Sequence, residues 1–423
     1  MLTPEENELL TRTGPGTPMG TLMRCYWVPV AFSHQLEKPD GPPVRARLMG
    51  EDLVAFRDSD GRIGLIDEAC PHRTASMFFG RNEDCGLRCV YHGIKFDVEG
   101  NCVDVPCLPP GTPENQINAV KKNMKIKAYP CAEKGGVVWA YMGPAESRPE
   151  LPELEWAEVP DDHRFATRHI QECNWLQGFD GGFDQTHLTF LHSGTVDLRR
   201  GNTDRHRRIV PSIYDFCALP AGFAFGGGRE IGDGNLSWHV ELMMMPFHKV
   251  IPSVPRAAHM WMPIDDENTM LYSINFNTER PFTEEDLERE LAWRGIHTEN
   301  IPGTDRAIQN LANDFLIDRA LQASGESYTG IKSLGAQDCG MQESMGPIAD
   351  RTKEHLLVGD SSIVRVRRYL LDALKDMAEG KAPPGGDPAH YRARSLRLEA
   401  PATTPFAELV ESQVWGNRPA AAQ

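Results

Sequence analysis

Two short runs constrain this chain more than anything else in it: Cys70-Pro71-His72 and, after sixteen intervening residues, Cys89-Val90-Tyr91-His92. Thiolates and imidazoles in this mixture hold zinc or an iron–sulfur cluster. Zinc fingers pair like with like, Cys-x2-Cys and then His-x3–5-His. Here each pair is mixed, Cys-x-His and then Cys-x2-His. One iron of a 2Fe–2S cluster then takes both thiolates and the other takes both imidazoles.

The chain has 423 residues, enough for two or three domains. Its formal net charge of −16 argues against nucleic acid or an anionic membrane as partner. The longest apolar runs, such as Val137 to Met142, are far shorter than a bilayer span, and the start, Met1-Leu2-Thr3-Pro4-Glu5-Glu6, is acidic rather than signal-like. Ten cysteines without a sign of export read as free thiols and metal ligands. The expected location is the cytoplasm of a bacterium.

Residues 1–40 carry two short helix candidates around Gly14-Pro15-Gly16 and read as a strap on a later domain. Residues 41–145 turn to short alternating strands with a hairpin signal at Asp58-Ser59-Asp60-Gly61, a small all-β domain with the Cys/His loops at one tip. A Pro- and Glu-rich linker opens a second domain over 146–378. Alternation at 223–225, 236–242, 260–262 and 270–276 predicts antiparallel sheet there. Thr283-Glu284-Glu285-Asp286 resembles a capping box with Asp for Glu, and Ile363, Val366, Leu370, Leu374 and Met377 give one buried helical stripe. Residues 379–423, rich in Pro, Gly and Ala, read as a loosely wrapped tail.

A second constellation lies in Asp180-Gly181-Gly182-Phe183-Asp184-Gln185-Thr186-His187-Leu188-Thr189-Phe190-Leu191-His192. Two His and one carboxylate form the facial triad of non-haem Fe(II) enzymes, which leaves positions open for O2 and substrate. On an ideal helix His187 and His192 would sit about 140° apart, so they share a metal only where the helix is overwound, bulged or ending. Asp314, Asp318, Asp338 and Asp350 are all candidates for the carboxylate.

Taken together, the motifs resemble the oxygenase components of Rieske non-haem iron ring-hydroxylating enzymes, and the resemblance covers nearly the whole chain. The opening Met1 to Trp27, Phe79 to Cys89 and Glu172 to Gln177 are similar to the phthalate 4,5-dioxygenase branch. The family commonly has Glu where Asp180 stands. The resemblance implies an α+β fold: a small all-β Rieske domain plus a helical-grip catalytic domain, whose large antiparallel sheet is flanked by helices. It implies one Rieske 2Fe–2S cluster and one mononuclear Fe(II) per subunit. Cys70, His72, Cys89 and His92 would hold the cluster. His187, His192 and Asp338 would hold the Fe(II), Asp338 being chosen because Gln337-Asp338 is similar to the segment that supplies this ligand.

Asp184 would orient His187 and carry the electron between subunits of a homotrimer, or of stacked trimers. Electrons would come from NADH through a separate flavin/iron–sulfur reductase, since the chain has no GxGxxG loop of its own. The implied reaction is cis-dihydroxylation of a phthalate-like aromatic carboxylate with O2. The alternative is a monooxygenase that removes O- or N-alkyl groups or cleaves an aryl ether. An aromatic acid needs a cation, and Arg207 and Arg208 in the run Arg205-His206-Arg207-Arg208 are the substrate candidates.

Overall fold

The hairpin signal at Asp58 folds as its chemistry dictates. Asp58 Oδ1 accepts hydrogen bonds from the backbone N–H of Asp60 at 3.0 Å and of Arg62 at 2.8 Å, and Gly61 takes a positive φ of 81°. The turn joins strands Glu51–Arg57 and Ile63–Asp67, the middle pair of a four-stranded sheet completed by Val44–Leu48 and Ala128–Tyr129. A second four-stranded sheet runs through Arg81–Asn82, Leu87–Arg88, Lys95–Phe96 and Cys102–Asp104. Val54, Phe56, Ile66, Leu87 and Phe96 form one core, of which Cys70 and Cys89 are buried members.

This computed structural model describes residues 2–193, 209–291 and 295–415. The chain divides into two units, one of Gly14–Gly16 with Met23–Leu151, the other of Met1–Thr13, Thr17–Leu22 and Pro152–Gln423. The first forty residues are therefore split between the two. The first helix, Pro4–Thr11, opens with a capping box: Glu6 N–H donates to Thr3 Oγ1 and Thr3 N–H to Glu6 Oε2. It docks on the larger unit, where Trp175 Nε1 and Asn174 Nδ2 donate to the carbonyls of Leu10 and Thr11.

The larger unit is built on one antiparallel sheet. In spatial order its strands are Arg164–Gln171, Thr269–Phe276, Arg256–Pro263, His248–Ile251, Asn235–Met244, Gly222–Gly232 and Ile213–Leu219. The strand Leu396–Pro401 pairs with the first half of Asn235–Met244, with Arg397 opposite His239. The stretch after 379, expected to be loosely wrapped, thus contributes an eighth strand. The helix Phe406–Leu409 follows, and Phe406 covers Trp238 with ring centroids 4.9 Å apart.

On the opposite face lies the helix Trp175–Gly182. A Cβ at Gly178 would come within 2.3 Å of Trp261 Nε1, and one at Gly182 within 2.7 Å of Trp261 Cη2. Only bare backbone allows so close an approach. The helix Leu334–Glu343 packs beside it, and Ser361–Ala378 buries Ile363, Val366, Leu370 and Leu374 as the helical spacing requires.

Candidate functional site

The two Cys/His loops are built on one pattern. Cys70 N–H donates to Ala75 O and Thr74 N–H to Cys70 O; Cys89 N–H donates to Ile94 O and Gly93 N–H to Cys89 O. In both loops the fourth residue after the cysteine has positive φ, 57° at Thr74 and 77° at Gly93. Each loop therefore turns its cysteine inward and its histidine outward. Both sulfurs are buried, whereas His72 is exposed and His92 half-buried. The two imidazole rings meet edge to face, with centroids 4.5 Å apart.

Burial pushes the Cys70 thiol up to about 11 against the pull of the His72 backbone N–H, and the neighbouring Cys89 sulfur adds to the rise. Two thiols buried against each other, with backbone N–H groups aimed at one of them, suit the thiolate end of a cluster whose sulfurs accept such bonds. The residues present fit a Rieske centre. No disulfide joins any of the ten cysteines.

The second constellation forms where one helix stops. Asp184 Oδ1 accepts from the N–H groups of Thr186 at 2.7 Å and His187 at 3.3 Å, which starts the four-residue helix His187–Phe190. The helix ends at once, and Ser193 N–H closes a tighter turn on Phe190 O. That ending resolves the spacing problem: the rings of His187 and His192 meet edge to face with centroids 5.0 Å apart. Asp338, on Leu334–Glu343, places Oδ1 3.5 Å from His187 Nε2 and 3.3 Å from His192 Nε2. Ligands held about 2.1 Å from one metal lie roughly 3 Å apart, so the three fit a facial triad.

The imidazoles are oriented for that use. Gln337 Nε2 donates to Thr329 Oγ1 at 3.1 Å and Ile331 O at 2.7 Å, so its Oε1 is left to accept from His192 Nδ1 at 2.7 Å. His192 then presents the lone pair of Nε2 toward Asp338. Asp184 Oδ2 lies 3.5 Å from His187 Nδ1 and orients that ring likewise. Burial opposes a charge on His187, but Asp184 and Asp338 outweigh it and the shift is upward. Burial also opposes the Asp338 carboxylate, yet His192 and His187 bring it down to about 2.

The other acids stand elsewhere. Asp318 caps the helix Arg319–Ser324, Asp350 caps Thr352, and Asp314 sits in a kink with φ of 51°. Asp180 is buried between two guanidiniums, with Oδ2 3.1 Å from Arg351 Nε and 2.7 Å from Arg367 Nη2. Arg207 and Arg208, the expected substrate cations, lie outside the described residues.

Beside the triad is a cavity walled by Leu188, Trp261, Leu271 and Leu334 and by the inner face of the sheet. Trp261 lines it, whereas Trp238 packs under Phe406 on the other face of the sheet. His239, Glu241, Lys249 and His259 also line it. They were not singled out from the sequence, although Glu241 and Lys249, charged residues at inward positions of strands as apolar as those over 235–251, were an available signal. A second, wider cavity of about 580 Å³ adjoins Asp184, His187 and Asp338 and is walled by Phe190, Tyr328 and Met345.

Residues 26–130 match the Rieske [2Fe-2S] domain model, and residues 237–421 match that described as LigXa C-terminal domain like. The chain is 36% identical over 432 residues to the 3-chlorobenzoate-3,4-dioxygenase oxygenase subunit of Comamonas testosteroni, covering 97% of this chain and 98% of the relative. It is 38% identical over 398 residues to the phthalate 4,5-dioxygenase oxygenase subunit of Pseudomonas putida, covering 91% and 89%. It is 33% identical over 403 residues to the 5,5'-dehydrodivanillate O-demethylase oxygenase subunit of Sphingobium sp., covering 94% and 86%.

Proposed function

Since the chain belongs to the Rieske non-haem iron oxygenases of the phthalate-like branch, we propose that it cis-dihydroxylates an aromatic carboxylate with O2 and two electrons from a reductase. The observation that carries this is the His187–His192–Asp338 triad opening on a largely apolar cavity. Like its family, the protein carries a Rieske 2Fe–2S cluster and a mononuclear iron, which supply electron transfer and O2 activation when bound.

In this reading Cys70, His72, Cys89 and His92 hold the cluster, and His187, His192 and Asp338 hold the iron. Gln337 and Asp184 fix the two ring orientations. In the same reading His72 and His92 meet a neighbouring subunit's Asp184 in a homotrimer, which the exposure of His72 and the half-burial of His92 support. Leu188, Trp261 and Leu271 exclude water from the ring being oxidised. NADH is the electron source through a separate reductase, and the bacterial cytoplasm is the setting. No helix among the described residues is long and apolar enough to cross a membrane.

A second reading is favoured by the likeness to an O-demethylase: monooxygenation that removes an alkyl group from an aryl ether. Turnover under ¹⁸O2 separates the two. A diol with both oxygens labelled supports dihydroxylation. Loss of formaldehyde from a methoxybenzoate, with no labelled diol from phthalate or 3-chlorobenzoate, supports the second reading and sinks the first.

A further inference from the structure

One wall of the triad cavity carries a buried ion pair that neither metal site uses. Lys249 is on the four-residue strand His248–Ile251, paired in register with Met243 on one side and His259 on the other. Its side chain is 7% exposed, and Nζ lies 3.0 Å from Glu241 Oε2. Glu241 is 2% exposed, and its other oxygen accepts from His239 Nε2 at 2.9 Å. Arg397 lines the same cavity from the strand opposite His239.

Two considerations make this more than packing. Desolvating such a pair takes back most of its Coulomb energy, and apolar residues of the same volume serve a core at least as well. Ile251, Ala257 and Leu271, which line the same cavity, are apolar. The pair is also the charged part of this wall beside the triad: burial holds His239 at about 4 and His259 at about 3, so both are neutral, while Lys249 and His239 keep Glu241 ionised against its burial. The Lys249 ammonium thus stands on the wall of the cavity that an acidic ligand would enter.

We propose that Lys249 is a specificity-determining residue, whose ammonium receives the acidic substituent of the aromatic substrate while Glu241 holds it in place until the substrate arrives. This rests on the reading of the cavity as the substrate pocket of an aromatic-acid oxygenase. An ammonium on a four-carbon stem turns from one carboxylate to another without moving the sheet. Glu241 is thus a competitor for the site the substrate takes.

The test is calorimetric titration of the iron-loaded enzyme with phthalate, benzoate and the neutral match benzamide, alongside turnover. Wild type should bind an acid more tightly than benzamide. Lys249→Met/Glu241→Gln, which removes both charges together and so avoids stranding either, should weaken the acid by about tenfold to a hundredfold, the loss of one charged hydrogen bond, and leave benzamide unchanged. Glu241→Gln alone should tighten the acid several-fold; a merely structural pair would give no such gain. Acid binding unchanged in the double variant, or weakened by Glu241→Gln, overturns the role of Lys249 and leaves the reading of the enzyme intact. Failure of wild type to bind or turn over any acid overturns both.

Discussion

Asp180 heads the Asp-x3-Asp-x2-His-x4-His run, yet the structure places it between Arg351 and Arg367, where it ties the helix Trp175–Gly182 to Ser361–Ala378. Removing it leaves two buried guanidiniums without their shared partner. Asp180→Ala should therefore cost on the order of 3–5 kcal/mol, seen as a large fall in Tm with the cluster's visible spectrum preserved below it. Glu343 is the opposite case. Burial pushes its carboxyl up to about 7, against the pull of the Glu172 backbone N–H. A carboxyl raised in the folded state binds a proton there that the unfolded chain has lost. Its contribution is therefore most favourable below the unfolded value of about 4.3 and is lost as pH rises toward 7. The stability of wild type relative to Glu343→Gln should fall by a few kcal/mol between pH 4.5 and 7.5; a difference that is flat, or that rises with pH, contradicts this.

At the scale of elements, what could be read from the sequence was what local chemistry decides. The Thr283–Asp286 box forms as expected, with Asp286 N–H donating to Thr283 Oγ1 and Thr283 N–H to Asp286 Oδ2. The stripe from Ile363 to Leu374 is buried, and the alternating runs are strands of one sheet. The His187 to His192 spacing showed that the helix had to break, though not that it would be only four residues long. What stayed hidden was decided by distant partners. Leu396–Pro401 is a strand because it completes the edge of Asn235–Met244, and nothing in its Pro- and Gly-rich surroundings announces that. Lys249 and Glu241 stayed hidden too, because they lie in separate strands and gain meaning only when the sheet brings them together. The glycines of Trp175–Gly182 are legible in retrospect as the contact with Trp261. Gly178→Ala should push the helix off its strand, lowering stability by about 1–3 kcal/mol and altering the near-ultraviolet tryptophan signal. An unchanged Tm would show that the contact yields freely.

For the whole molecule, the proposed function works two iron centres of different kinds in sequence, with Asp184 as the link. Asp184→Asn should retain both metals while slowing oxidation of the reduced cluster by O2 and substrate by at least about tenfold to a hundredfold. Unchanged kinetics would remove Asp184 from the path. The claim beneath this is that one set of ligands holds the cluster and a separate set holds the single iron. It is tested most directly by quantifying iron and inorganic sulfide per chain in wild type and in Asp338→Ala. A 2Fe–2S cluster with one mononuclear iron predicts three irons and two sulfides in wild type. Asp338→Ala should keep both sulfides and the visible spectrum while falling to two irons. Three irons retained in Asp338→Ala, or loss of the cluster together with the single iron, would contradict it.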